Sequence, residues 1–267
     1  MKTGLKIAAF TLAVILIVGV LWFANSLVGN PISKALAENT AKKYLKENYK
    51  DTDYELEEVT YSFKDGYYHA YVSSPSSIDT HFTFMINGFG KLSYDNFDYV
   101  TSGWNTAERL DKDYRGAVDD FFASMSFPYN AYIAYGELIF VSSSDQENPT
   151  APDYALITEE LTVDAYYDVN KLGAQSGKLT VYIYDDNVSV ERLAEVLLGI
   201  RECIDNAGIG FYVIDCVIEY PRDEEGFADY GRVEVIDFLY SDIYEKGLVA
   251  RVTEANEEAG EFFGVAE

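Results

Sequence analysis

From Ile7 to Phe23 the chain reads IAAFTLAVILIVGVLWF, and no charged side chain falls between Ile7 and Ser33. That run is close to the ~20 residues a helix needs to cross a bilayer. Trp22 and Phe23 stand at its end, where an interfacial aromatic belt lies. The pattern predicts a transmembrane signal anchor over residues 1–30. A cleavable signal peptide competes with it, because Ala35-Leu36-Ala37 offers small residues at cleavage spacing. That triplet lies past Pro31, well beyond the apolar run, and the run is long for an h-region, so the anchor is favoured. No Cys follows the run, which excludes a bacterial lipid anchor.

After Asn30-Pro31, which should break the first helix, Ser33 is a candidate N-cap for a helix over 34–48, with Leu36, Thr40, Ala41, Tyr44 and Leu45 at helical spacing. Four strand-like runs follow, separated by turn signals at Asp65-Gly66, Ser73–Ser77 and Asn87-Gly88. A two-residue turn at Asp65-Gly66 puts Lys64 opposite Tyr67. Val59, Tyr61 and Phe63 then share an apolar face with Tyr68, Ala70 and Val72. A loop centred on Pro75 adds Ile78, Phe82, Phe84 and Ile86, and an odd-length loop at 87–90, bulged at Gly90, adds Leu92 and Tyr94. One helix on a four-stranded antiparallel meander buries this face. Asn105 and Glu108 form a capping-box pattern ahead of a helical stripe from Leu110 to Met125. An apolar run, Ala131 to Val141, predicts one more strand.

Residues 143–155 are polar, carry two prolines and show no periodicity, so a linker is expected there between domains 31–142 and 156–267. The second domain should hold strands at Leu161–Val169 and Leu179–Tyr184, and a helix from Ser189 to Asn206 ending at Gly208. A strand with Tyr212, Ile214, Cys216, Ile218 and Tyr220 on one face, a strand at Arg232–Tyr240 and a helix at Ser241–Glu258 complete it. The fold class is therefore α+β: a transmembrane helix, a helix-and-meander domain, and a second α+β sandwich of ferredoxin-like kind in a permuted order.

Charge sharpens this division. The chain has 45 acids against 20 Lys and Arg, a formal net charge of −25 over 267 residues. Residues 145–267 hold 28 of the acids and 8 of the bases. With 23 Tyr and 16 Phe the chain is too aromatic for a disordered acidic tail. Its acidity excludes nucleic acid as a partner. Lys34, Lys42, Lys43 and Lys46 compete with Lys2 and Lys6 in setting orientation, yet a short basic N-terminus inside and the acidic bulk outside is the better topology.

The polar face of the meander carries the only two histidines. In the Pro75-centred register His69 opposes His81, and Tyr71 opposes Asp79 beside them. His69, Asp79 and His81 could supply three ligands to Zn²⁺. The plainer reading is a solvated cross-strand pair, since the spacing is not a metal signature and no fourth ligand can be named. Asp111 to Phe122 begins like a calcium loop, but Arg115 and Phe122 replace ligands and the apolar stripe already explains a helix. Asp223, Glu224, Glu225 and Asp229 make an acidic loop that could bind Ca²⁺ weakly or be simply solvated. The pairs Asp119-Asp120, Glu159-Glu160 and Asp185-Asp186 invite a glycosidase reading, though sequence neighbours point apart on a strand. There is no G-x-S-x-G, P-loop, H-E-x-x-H or Cys–His constellation, so no catalytic residue and no cofactor is expected. Cys203 and Cys216 could pair outside a cell, but both fall on apolar faces and read better as buried thiols.

The stretch VGNPISKALAENTAKKYLKENY and the later YSFKDGYYHAYVSSPSSIDTHFTF resemble the start of the YfjL-like proteins, over residues 28–95. That resemblance implies a bacterial, single-pass, extracytoplasmic architecture without an established activity. The expectation is a membrane-anchored, non-catalytic binding or interaction module of the cell envelope, with an envelope protein or peptide as its partner. The alternative is a cell-envelope hydrolase using C-terminal carboxylates.

Overall fold

The computed structural model describes residues 2–124, 127–146, 151–222 and 231–262, which form two compact units divided after Asn105. In the first, α1 (Lys2–Val28) is the long apolar helix, and its described side chains up to Phe23 are exposed. It is long and apolar enough to cross a membrane. Gly29 then turns the chain with φ +70°, and α2 (Pro31–Asn48) begins at once. Asn30, not Ser33, is the cap: its side-chain oxygen accepts from the Ser33 amide at 2.8 Å, and Pro31 takes the first helical position, where no amide donor is needed.

α2 lays Ala37, Ala41, Tyr44 and Leu45 on a four-stranded antiparallel meander, β1 (Glu55–Tyr61), β2 (Tyr68–Ser73), β3 (His81–Ile86) and β4 (Leu92–Asp95). The expected faces hold but two registers do not. β1 and β2 pair Tyr61 with Tyr68 and Val59 with Ala70, two residues from the predicted alignment, because the turn spans Ser62 to Tyr67. β2 and β3 pair His69 with Met85 and Ser73 with His81, four residues from the prediction. Both displacements are even, so Val59, Tyr68, Ala70, Val72, Phe82, Phe84 and Ile86 are still buried together. Phe63 and Ile78, expected on that face, lie in the turns and are exposed. The β3–β4 loop holds three residues with Gly90 at φ +75°, as an odd count requires. A register shift between Met85 and Ile86 leaves Leu92 inward and turns Tyr94 out, which corrects its expected placement. Rings of Tyr44, Tyr49, Tyr54, Phe82, Phe84 and Phe97 close the core, with Tyr49 donating to Asp95 at 2.6 Å. A short helix, α3 (Asp98–Thr101), ends this unit with Val100 buried.

α4 (Trp104–Phe122) starts earlier than the Asn105 cap predicts. Asn105 is buried and its amide donates to the carbonyls of Asp79 and His81 instead. The second unit runs from Thr106 and includes the rest of α4 and β5 (Ala131–Leu138), so the expected boundary at 143–155 is displaced. The reason is pairing: β5 joins β8 (Gly177–Tyr184) across 38 intervening residues, which composition at 143–155 cannot reveal. Between them β6 (Phe140–Val141) pairs with β7 (Leu156–Ile157), and α5 (Val169–Ser176) stands just after the strand expected at 161–169. That segment alternates but pairs with no strand among the described residues. Asp164 adopts φ +62°, and Asp168 caps α5 through the Asn170 and Lys171 amides.

α6 (Val190–Ala207), capped by Ser189 and closed by left-handed Gly208 as expected, connects β8 to β9 (Val213–Glu219). β10 (Arg232–Leu239) and α7 (Leu248–Phe262) follow, the latter starting later than residue 241 because a 3₁₀ turn and Gly247 intervene. The sheet order is β10-β9-β8-β5, with β8 and β9 parallel neighbours. A ferredoxin-like order would split that pair with a strand, so the sandwich is α+β but not of that kind. Helices α4, α6 and α7 bury one face through Leu110, Leu193, Leu197, Ile200, Leu248 and Val252 against Val181, Ile183, Cys216 and Val235.

Candidate functional site

The three residues read as metal ligands are not brought together. His69 and His81 share the outer face of the meander but sit four residues apart along the ladder, about 13 Å at ordinary strand rise. His69 Nε2 pairs with Asp65 at 2.8 Å and His81 is exposed. Asp79 is buried in the β2–β3 loop, away from a strand position opposite Tyr71, which pairs with Thr83. That loop is seven residues long, closed by the Ser74 amide donating to the Thr80 carbonyl and held from outside by Asp53, which receives the Ser74 hydroxyl and the Ser76 amide. Among the described residues no group of three or more His, Cys, Asp and Glu is arranged to hold a metal ion. Asp223, Glu224, Glu225 and Asp229 lie outside the described residues. Asp111 lies within α4, bonding Arg115 and the Leu138 amide. Cys203 and Cys216 are free thiols, and burial pushes the Cys216 thiol far up.

The chemistry-bearing surface is instead the sheet face turned away from α4, α6 and α7. Its position follows from parity: Leu179, Val181 and Ile183 point to the helices, so Lys178, Thr180, Tyr182 and Tyr184 point the other way, beside Asp215 and Glu219 of β9. A register shift at Tyr132 in β5 re-aims that residue onto the same face. Its ring stacks on Tyr184 with centroids 4.3 Å apart, meets Tyr182 edge-on at 5.9 Å, and its hydroxyl donates to Glu219 at 2.9 Å. The Arg232 guanidinium lies 5.7 Å from the Tyr182 ring centre and bonds Glu234. Tyr132 and Tyr135 are more than a third exposed, enough to meet a ligand.

Further along the same face, Lys178 Nζ reaches Asp215 at 2.9 Å and Asp237 at 2.8 Å. Asp237 occupies the bulge of β10 at φ +48°, and the Tyr154 hydroxyl donates to it at 3.1 Å. Burial alone would lower the Lys178 pKa, but hydrogen bonds to the two carboxylates and their charges outweigh it, so the amine is held above its ordinary value. An ammonium held charged at neutral pH and doubly clamped is neither nucleophile nor base there. Burial first, then Glu219, raises the Tyr132 hydroxyl; burial first, then Asp237, raises that of Tyr154. Both remain protonated donors. The alternating 178/180/182/184 pattern was the available signal for this surface, obscured because aromatic residues in strands are ordinarily explained by packing.

One member of two of the acid pairs is committed to a local partner: Asp185 holds Arg192 at 2.9 Å and Glu159 accepts from the Ser143 amide.

Residues 4–96 match the family model for the YfjL-like N-terminal domain, and residues 113–253 match that for the YfjL-like C-terminal domain. The chain belongs to the YfjL-like family. The interval between the two matched segments contains Asn105, where the compact units divide. No curated protein and no solved structure matches the chain.

Proposed function

We propose that this YfjL-like protein is a single-pass, membrane-anchored binding module of the bacterial cell envelope, with α1 as an uncleaved signal anchor and the bulk of the chain extracytoplasmic. The span of α1 and the acidity of the chain beyond it support the topology. The observation that carries the binding role is the Tyr132–Tyr182–Tyr184 cluster, in which Tyr132 is exposed and Tyr182 and Tyr184 are part-buried, beside Glu219 on a sheet face where Lys178 and Arg232 are already paired. Aromatic rings edged by carboxylates suit Lys- or Arg-rich segments of an envelope protein or peptide, through cation–π contact and charge-assisted hydrogen bonds. A hydrolase using C-terminal carboxylates gains less support, because Asp215 and Asp237 converge on Lys178 and leave no acid poised for proton transfer there.

Photo-crosslinking in the native membrane tests this. A benzophenone side chain at Tyr135 should capture a defined partner that the same group at Glu202, on the exposed side of α6, does not. Tyr184→Ala should abolish the adduct. Equal capture from both positions, or none from Tyr135, overturns the reading.

A further inference from the structure

Two hairpin tips of the first unit carry large apolar side chains with no place in its core. Phe89, in the β3–β4 loop, is 92% exposed and Phe63, in the β1–β2 turn, is 63% exposed. Both loops lie at the end of the meander where α1 leaves. Gly66, Gly88 and Phe89 line one cavity of about 290 Å³ together with Asn25, Gly29 and Asn30. Ile32 and Val28 are exposed nearby in sequence, and Lys34, Lys64 and Lys91 are exposed around them. Asp65 is the only acid in the two turns, and it is paired with His69.

The junction with α1 is built as a fixed joint. Tyr61 donates to the Ser26 carbonyl at 3.1 Å, and the Tyr68 hydroxyl accepts from the Asn30 amide at 2.9 Å. Height along α1 therefore sets the height of the tips. At 1.5 Å per residue, Asn25 stands about 4.5 Å and Gly29 about 10 Å beyond Trp22. With Trp22 at the edge of the hydrocarbon, a headgroup layer roughly 5–8 Å thick ends between Asn25 and Gly29, which line the same cavity as Phe89.

We infer that the β1–β2 and β3–β4 tips seat in the headgroup layer of the membrane that α1 crosses, with Phe63 and Phe89 as interfacial anchors and Lys34, Lys64 and Lys91 facing anionic headgroups. The inference rests on the proposed anchoring of α1. The lipid surface is its one occupant, because the anchor itself delivers these side chains to it. Aromatic rings favour that depth, and lysines near an anionic leaflet add electrostatic attraction.

The full chain, reconstituted in vesicles of phosphatidylcholine and phosphatidylglycerol bearing bromine near the headgroup end of the acyl chains, supplies the test. Tryptophan is added singly by Phe89→Trp, Phe63→Trp or Ile78→Trp, all at exposed positions. Ile78 lies in the loop at the opposite end of the meander, about 20 Å away along the strands. Added fluorescence at 89 or 63 should be quenched roughly two- to threefold more than at 78, and should resist aqueous acrylamide. Trp22 is the internal control: Trp22→Phe should remove most quenching of the parent chain. If Trp22 is quenched while positions 89 and 63 behave like 78, the seating is wrong and the anchoring stands. If Trp22 itself is unquenched, both fall.

Discussion

The Tyr68 hydroxyl accepts from the backbone amide of Asn30 at 2.9 Å and contacts the same residue's carbonyl at 3.2 Å, locking the start of α2 to the middle of the sheet. Tyr68 is buried, and Gly29 beside it stands at φ +70° with room for no Cβ, which would lie 2.6 Å from the Tyr68 oxygen. Tyr68→Phe should therefore cost about 1–2 kcal/mol, the penalty of an amide left without its acceptor. Gly29→Ala adds backbone strain to a clash and should cost more. Denaturant titration of the full chain in detergent checks both. Equal stability of Tyr68→Phe and the parent would show that the joint does not depend on this bond.

Parity and register separate what was readable from what was not. Alternation along β1 to β3 identified the buried face because any even slip preserves it, and the two observed slips are even. A histidine pair needs the exact register, and that depended on Asp53 and Asn105, which reach the β2–β3 loop from 21 and 26 residues away. The same limit hid the domain division. β5 looks like an ending to the first unit, and only its long-range pairing with β8 assigns it to the second. The helices were legible where caps and stripes agree, as at Ser189 and Gly208. The Tyr132–Tyr184 stack was not, because it needs a β5 irregularity that no local pattern announces.

Lys178 is expected to stabilise the second unit only while it is charged. Its folded pKa is raised, so its contribution is complete below about 10.4, the value in an unfolded chain, and is lost as pH rises through the folded value. Lys178→Met should cost about 1–3 kcal/mol at neutral pH, since Asp215 and Asp237 are left facing each other half-buried. The difference from the parent should narrow above that pH. Adding Asp237→Asn should recover part of the loss. Thermal melts across pH 7 to 11 measure this, and a constant gap would refute the pairing as its source.

Tyr114 is the wedge of the second core. Its hydroxyl donates to the Gly210 carbonyl at 2.8 Å, and its ring occupies the space that Cβ atoms on Gly136, Gly173 and Gly177 would need. A Cβ at Gly177 would lie 2.7 Å from the hydroxyl and 2.6 Å from the Gly173 carbonyl oxygen. Gly177→Ala should destabilise by about 2–3 kcal/mol through overpacking, and Tyr114→Phe by about 1–2 kcal/mol through the orphaned carbonyl. Burial raises the Tyr114 hydroxyl, so its stabilisation is complete below about pH 10 and lost above it. Tyr114→Phe should accordingly show a shallower alkaline fall. A Gly177→Ala chain as stable as the parent would disprove the wedge.

The β2–β3 loop should respond to acid and to loss of Asn105 in different ways. Hydrogen bonds from Ser76, then from Ser74, hold the Asp53 carboxyl below its ordinary value. The ordering it contributes is thus present above the ordinary Asp pKa of about 3.9 and lost as pH falls through the lower folded value. The Ser76 amide resonance should move in one titration centred below that value, and Asp53→Asn should abolish the step. Asn105 is buried and serves two carbonyls, so Asn105→Ala should cost about 1–3 kcal/mol at every pH by removing the donor that the Asp79 and His81 oxygens share. It should also speed amide exchange along β3 without touching the Asp53 titration. If Asn105→Ala instead erased that titration, the two attachments would be one coupled unit and their independence would fail.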